Sequence, residues 1–238
     1  MKRDGRPEHQ KIAAFYRSLI MSGDLAPGEQ LPSVAQLMEH HGVAVHTIQR
    51  ALNVLRDEGF TETKRGIGVF VRERALVVTE AIEYLALPNR LLDVGEVRPP
   101  ADVAEAFGLE REATTAMRSR LLLSDDEPFE LATSYYPIEI ARGTDLTSPG
   151  KIRGGAVNLL KQLGYSSVEF IDRVSVRLPT TQEFEVLELP DDIPVHRTFR
   201  TYYTAEGVPF EVTVMIQGGH LYGLQYRQPT RKSSQAAQ

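Results

Sequence analysis

The side chains best placed to do chemistry in this chain are hydrogen-bond donors and cations rather than nucleophiles. His46, Thr47, Gln49 and Arg50 crowd one short stretch behind Val45, and Lys64-Arg65-Gly66-Ile67-Gly68 follows a few residues later. Such groups suit reading of a DNA duplex. Gln pairs with an adenine edge, Arg reads guanine or binds phosphate, and an apolar residue such as Val45 meets a thymine methyl. Glycines beside cations, here Gly66 and Gly68 beside Lys64 and Arg65, let backbone amides and charge come close to phosphates. A second group lies further on, in Arg118, Arg120, Glu130 and Ser134. Two arginines spaced by two share one face of a strand and repel each other unless an anion lies between them. Glu130 and Ser134 also share a face, so Glu130 is expected to pair with one arginine and leave the other for a carboxylate or phosphate. Arg173, Ser175 and Arg177 repeat the pattern, and in both places the alternative is an Arg–Glu bridge on a solvated sheet face.

Catalytic constellations do not emerge. Cysteine is absent, and of six histidines His9, His40, His41 and His46 lie near the start, leaving His196 and His220 for the rest. His40 and His41 are adjacent and so diverge on a helix, and no Ser/His/Asp set, phosphate loop or metal-ligand spacing occurs. A non-enzymatic protein without cofactor or metal is expected.

The elements that must hold the first group are two short helices, a turn and a hairpin. Ser33 is an N-cap candidate after Pro32, the helix runs to His40 or His41, and Gly42 supplies the turn. From Val45 to Glu58, Ile48, Ala51, Leu52 and Leu55 fall at i, i+3, i+4 and i+7, one buried stripe that leaves His46, Thr47, Gln49, Arg50 and Asn53 on the other face. Gly59 stops this helix, Phe60 to Thr63 alternates as a strand, and the basic glycine turn joins it to a second strand. That order is a winged helix-turn-helix, preceded by an amphipathic helix from His9 to Ser22.

The segment resembles the GntR family of bacterial transcription regulators. The resemblance rests on Ser22-Gly23-Asp24-Leu25-Ala26-Pro27-Gly28-Glu29-Gln30-Leu31-Pro32-Ser33, on Gly42-Val43, Thr47-Ile48, Ala51-Leu52, Leu55 and Glu58-Gly59, and on Gly66-x-Gly68-x-Phe70-Val71. It implies DNA binding through Ser33, Gln36, Val45, His46, Thr47, Gln49, Arg50, Lys64, Arg65, Gly66 and Gly68. The chain departs from the family at Ala35, Val45 and Gln49, where members usually carry arginine, which puts the family's usual operator sequence in doubt.

Charge follows the same division. Overall the 238 residues carry a net −5, but residues 1–75 hold 11 Lys and Arg against 9 Asp and Glu, a net +2, and the remainder is −7. So small a positive charge favours a dimer that doubles the DNA contacts. A content of 42 % hydrophobic residues can build two modest cores. No apolar run approaches the length of a signal peptide or membrane span, and a cytoplasmic protein is the simplest expectation.

Beyond residue 75 a linker is expected over 76–93, an effector-binding domain over 94–228 and a disordered tail over 229–238. Arg98-Pro99-Pro100 precedes a helix from Ala101 to Phe107, after which the period changes to that of strands: 115–123, 129–136, 168–178, 195–204, 209–216 and 222–226. Helices interrupt at 156–163 and 181–187, the latter with Thr180 and Glu183 at capping-box spacing. The fold class is α+β, with a mixed or antiparallel sheet behind the winged helix.

This part resembles the UTRA effector-binding domain of HutC-type GntR regulators, similar in fold to chorismate lyase. The resemblance is carried by Arg118-x-Arg120, Pro128, Glu130, Ser134-Tyr135-Tyr136-Pro137, Gly164-Tyr165, Arg177 with Glu183 and Leu187, Arg200, Glu206-Gly207-x-Pro209-x-Glu211 and Tyr226. It implies a small-molecule site in which Glu211 and Tyr226 join Arg118, Arg120, Glu130, Ser134 and Arg177. Sugar-phosphate-binding relatives place serines before the helix at 156–163. Here Arg153-Gly154-Gly155-Ala156-Val157 offers no hydroxyl, only the amides of Gly154 and Gly155, so a hexosamine phosphate is disfavoured. The expectation is a homodimeric, ligand-responsive repressor on an inverted-repeat duplex, with a small anionic effector. The alternatives are a ligand-independent DNA-binding protein, signalled by a closed hydrophobic core at the Arg pair, or an enzyme of chorismate-lyase-like fold, signalled by turnover.

Overall fold

The structure, a computed structural model, describes residues 4–73, the backbone of 77–80, and 87–226. In chain order the elements are α1 (Glu8–Ser22), α2 (Val34–His41), α3 (Val45–Asp57), β1 (Thr61–Lys64), β2 (Gly68–Val71), β3 (Val77–Glu80), β4 (Asn89–Val97), α4 (Ala101–Phe107), β5 (Thr115–Ser124), β6 (Glu127–Pro137), α5 (Ile138–Ala141), α6 (Gly155–Gln162), β7 (Glu169–Arg177), α7 (Thr181–Val186), β8 (Val195–Tyr203), β9 (Pro209–Gly218) and β10 (Tyr222–Gln225). They form two compact units, residues 1–86 with 221–238, and residues 87–220.

In the first unit the expected stripe of α3 closes the core. Ile48, Ala51 and Leu55 are fully buried and meet Ile12, Tyr16 and Ile20 of α1, Leu37 of α2, and Phe60 and Val71 of the hairpin. Ser33 caps α2 in a reciprocal box with Gln36, and Gly42 ends the helix at φ 64°, a left-handed turn that glycine adopts without strain. Arg17 on α1 makes a two-pronged ion pair with the buried Glu58 at the end of α3, at 2.5–2.8 Å. That pair fixes the long helix against the helix of the turn motif. The wing is an antiparallel β1–β2 hairpin paired from Thr61↔Val71 to Lys64↔Gly68. A third backbone segment steadies it, because Leu31 N–H donates to Val69 O and Val71 N–H to Glu29 O.

The second unit is a six-stranded antiparallel sheet in the order β4-β5-β6-β9-β8-β7. Register assigns its faces. Leu121, Leu131, Val195, Ile216, Phe199 and Val212 point to the back, covered by α7 through Leu187 and Leu189 and by α4 through Val103. On the front, α5, the 3-10 turn Asp145–Thr147 and α6 cover one end through Ile138, Ala141, Leu146 and Leu160, packed on Ala116 and Tyr136. The rest of the front mixes polar side chains with Ala132, Met215, Val174 and Val176.

Two boundaries differ from expectation. The second unit starts before residue 94, because β4 begins at Asn89 and is a full edge strand of the sheet. β10, anticipated as part of the effector sheet, instead pairs in parallel with β3 in the first unit, Tyr222↔Val77 to Gln225↔Glu80. Residues 81–86 of the expected linker, and the expected disordered tail at 229–238, lie outside the described residues.

Since Ile48 has no exposed surface and a truncated core residue leaves a cavity, Ile48→Ala should lower stability by about 2–5 kcal/mol. Denaturant unfolding checks this, and a loss well below that range would mean α3 is not the keystone of the first unit.

Candidate functional site

The exposed face of α3 carries Val45, His46, Gln49 and Arg50, with Thr47 half-buried. Among the described residues Arg50 and Arg65 make no ion pair, so both cations are uncommitted. Lys64, by contrast, pairs with Glu62 at 3.4 Å and lies 4.6 Å over the Phe70 ring. Gly66 takes φ 76° at the wing tip, and Gln30 Nε2 donates to Ile67 O at 3.1 Å, bracing the turn beside Gly68. Ser33 and Gln36 are exposed, but their side chains are engaged with each other in the cap. An open apolar cleft of about 600 Å³, which no sequence signal indicated, lies beside α1 and α2 and is lined by Phe15, Tyr16, Leu25, Leu37 and His40.

On the front face of the second unit, register brings Arg118 and Arg120 of β5 beside Ser134 and Tyr136 of β6, Glu211 and Thr213 of β9, Arg200 and Tyr202 of β8, and Asp172 of β7. A chain of hydrogen bonds crosses it. Arg120 donates to Ser134 Oγ at 3.2 Å, Ser134 Oγ and Thr213 Oγ1 are 2.8 Å apart, Thr213 donates to Glu211 Oε1 at 3.0 Å, and Tyr136 OH donates to the same oxygen at 3.3 Å. Burial pushes Glu211 above the ordinary carboxylate range, although Thr213, Arg120, Ser134 and Tyr136 pull it down. Burial also raises the Tyr136 phenol, with the neighbouring Glu211 adding to it. Glu211 is densely surrounded yet keeps accessible surface, as do Arg120 and Tyr202. These groups form a polar, partly accessible cluster on the front face.

Several expected members have other duties. The pair of open guanidiniums needs correction, because Arg118 is 4 % exposed and donates to the carbonyls of Asp145, Leu146, Ser148 and Gly150 at 2.5–3.2 Å. It clamps a loop. Burial lowers its pKa, and Arg120 adds to the lowering. Glu130, expected to pair with an arginine, accepts from Gln217 Nε2 at 2.9 Å. Arg177 lies on the back face, in a two-pronged pair with Glu183 at 2.7 Å, and Glu183 also completes the cap of α7 at Thr180. Gly155 N–H is taken by Ile152 O, and the Gly154 carbonyl accepts from Asn158, so only part of the expected amide cradle is open. Tyr226 is exposed and falls in the first compact unit. Tyr136, Thr213, Tyr202 and the Asp172–Arg200 pair were not anticipated in the site; alternation would have given their faces, but not the strand order that joins them.

Among the described residues no helix is long and apolar enough to cross a membrane, and no cluster of three His, Cys, Asp or Glu could hold a metal.

A winged helix-turn-helix head with uncommitted cations on its second turn-motif helix, followed by an antiparallel sheet with a polar cluster on one face, defines a two-part class of DNA-binding protein. Residues 9–71 match the bacterial regulatory proteins of the gntR family, and residues 84–222, more than half of the chain, match the UTRA domain. The chain belongs to the GntR family and carries a UTRA domain; it is a DNA-binding transcription regulator of that type. An uncharacterized HTH-type transcriptional regulator of Streptomyces coelicolor is 28 % identical over 247 residues, covering 92 % of both chains. The HTH-type transcriptional repressor NagR of Bacillus subtilis is 25 % identical over 230 residues, covering 91 % of this chain and 92 % of its own. In fold, PhnF from Mycobacterium smegmatis superposes with a TM-score of 0.59 at 18 % identity, over 92 % of this chain and all of that one. These relatives are transcription regulators rather than enzymes.

Hydrogen bonds from a charged donor are worth about 1.5–3 kcal/mol, so Arg118→Ala should release the loop at 145–150. Amide exchange there should accelerate by about tenfold or more, and unchanged protection would remove the clamp from the account. A second expectation concerns Glu211. The folded state holds its proton more tightly than the unfolded chain, so that stabilisation is full in acid and lost as pH rises from the ordinary carboxylate range through the raised value. The melting temperature of Glu211→Gln relative to wild type should therefore rise with pH across that window. A difference independent of pH would mean the carboxyl is not perturbed.

Proposed function

We propose that this protein is a homodimeric repressor of the HutC type, binding an inverted-repeat operator and governed by a small anionic effector in the recess beside Arg120 and Glu211. The observation that carries this reading is the pairing, in one chain, of uncommitted cations on α3 and the wing with a polar, partly accessible cluster in the second unit. Ser134, Thr213, Thr198 and Glu211 occupy the sheet face where a ligand-independent protein would have an apolar core. The repressor mode is carried over from NagR, which is named as a repressor.

Each head would set α3 in a major groove, with Val45, His46, Thr47, Gln49 and Arg50 toward base edges. Lys64, Arg65, Gly66 and Gly68 would lie against phosphates, with Ser33 and Gln36 near the backbone at the start of α2. A dimer is favoured by charge, since one head at +2 offers few phosphate contacts. It is also favoured by β7, an edge strand with exposed Ile171, Val174 and Val176, and with Val168 and Leu178 at its ends. Open edges of that kind pair with another strand unless blocked, and a second copy supplies an identical one. The effector must bind one arrangement of the heads more tightly than the other, because equal affinity shifts nothing.

Selection of bound fragments from random duplex DNA, followed by sequencing, tests the operator: an inverted repeat is expected, and recovery of no shared motif would overturn specific dimeric recognition. Arg50→Ala should lower affinity for the recovered site without changing the fold. Arg65→Ala should weaken binding to all sequences alike and flatten the plot of log K against log salt by about 0.9 for each phosphate left without its cation. Titration across a salt series reads both, and unchanged affinity in either variant would displace the proposed docking.

A further inference from the structure

The chemical class of the effector follows from how the arginines on the front face are already engaged. Three reach it. Arg118 gives its donors to four loop carbonyls, and Arg200 grips both oxygens of Asp172 at 2.7 Å while lying 4.0 Å over the Phe170 ring. Arg120 is the exception. Its one hydrogen bond among the described residues goes to Ser134 Oγ, its Nε is buried without an acceptor, and no carboxylate makes an ion pair with it. A guanidinium has five N–H donors, so Arg120 is an incompletely satisfied cation at the edge of a recess, where an anion would complete its bonding.

At the other end of the hydrogen-bonded chain stands Glu211. Tyr136 and Thr213 both donate to Oε1, so the carboxyl keeps acceptor capacity on Oε2. The recess thus offers one cationic donor and one carboxyl acceptor, separated by the hydroxyls of Ser134 and Thr213. A phosphate dianion fits this poorly. It would face one available guanidinium rather than two, with a carboxyl close by. A single negative charge with a hydrogen-bond donor a few atoms away matches both ends.

We propose that the effector is a small monocarboxylate bearing a hydroxyl or amino group, its carboxylate on Arg120 and its donor group on Glu211. This rests on the reading of the second unit as an effector domain and adds the ligand's chemistry to it. Burial raises the Glu211 carboxyl above the ordinary range, so its anionic form is less favoured there than that of an exposed carboxylate.

The test is a calorimetric and melting titration of the full-length protein with D-glycerate, L-serine and D-gluconate, against propionate, inorganic phosphate and glucosamine 6-phosphate. At least one hydroxy or amino acid should bind and raise the melting temperature, with propionate at least tenfold weaker and both phosphates silent. Arg120→Gln should reduce the affinity of that acid by tenfold or more, and Arg120→Lys should restore part of it. Glu211→Ala should abolish the preference over propionate while leaving residual carboxylate binding. Because Arg120 is half-buried with one hydrogen bond, both of its variants should melt near wild type without ligand. Tighter binding of either phosphate, lost in Arg120→Gln, would overturn the carboxylate class while leaving the effector reading intact. Carboxylate binding indifferent to Arg120→Gln would overturn the site. If no compound binds, the inference falls; the broader reading fails separately, if metabolite extracts never alter operator affinity.

Discussion

A guanidinium withdrawn from water must recover its hydrogen bonds from the protein, and the second unit is organised around that demand. Arg118 takes four carbonyls and thereby folds the loop at 145–150 over one end of the sheet. Arg200 takes a buried carboxylate and an aromatic face, tying β8 to the outer strand β7. With these two satisfied internally, Arg120 keeps a single hydrogen bond among the described residues, to Ser134 Oγ. Burial of an unpaired charge is costly, and the hydroxyl of Ser134 beside Arg120 offsets part of that cost.

The first unit solves a different problem with the same residue type. Arg17 is committed to Glu58 inside the head, which makes α1 and α3 one body. Among the described residues Arg50 and Arg65 make no ion pair, and Lys64 stands at the hairpin corner. So few cations give weak attraction from one head and place the weight of recognition on the polar face of α3, where His46 and Gln49 stand beside an exposed Val45. Short polar and apolar side chains discriminate bases by shape and hydrogen-bond pattern, while long cations mainly add affinity.

Local structure was legible in the sequence because it is set by neighbours in the chain. The α3 stripe, the Ser33 and Thr180 caps and the Gly42 turn arise from spacings of three or four residues, and the structure has all of them. So does the alternation that puts Arg118 and Arg120 on one face. The fate of those side chains was not legible. Arg118 finds acceptors some thirty residues away, Glu130 finds Gln217, and Glu211 meets Tyr136, each through a strand order that periodicity does not encode. The start of β4 was not legible because 89-NRLLDVGEV-97 mixes apolar and charged residues without clean alternation, as suits an edge strand with a bulge between Leu91 and Asp93.

The parallel pairing of β10 with β3 makes the effector unit an insertion within the first unit rather than an appendix to it. Tyr222 meets Val77 across about 145 residues of chain, a closure whose entropy grows only as the logarithm of loop length but must be met before any pairing rewards it. A folded six-stranded sheet meets that requirement in advance, by holding its two chain ends in place. The strand pair therefore depends on that sheet, so damage to the second unit is felt in the backbone of the first.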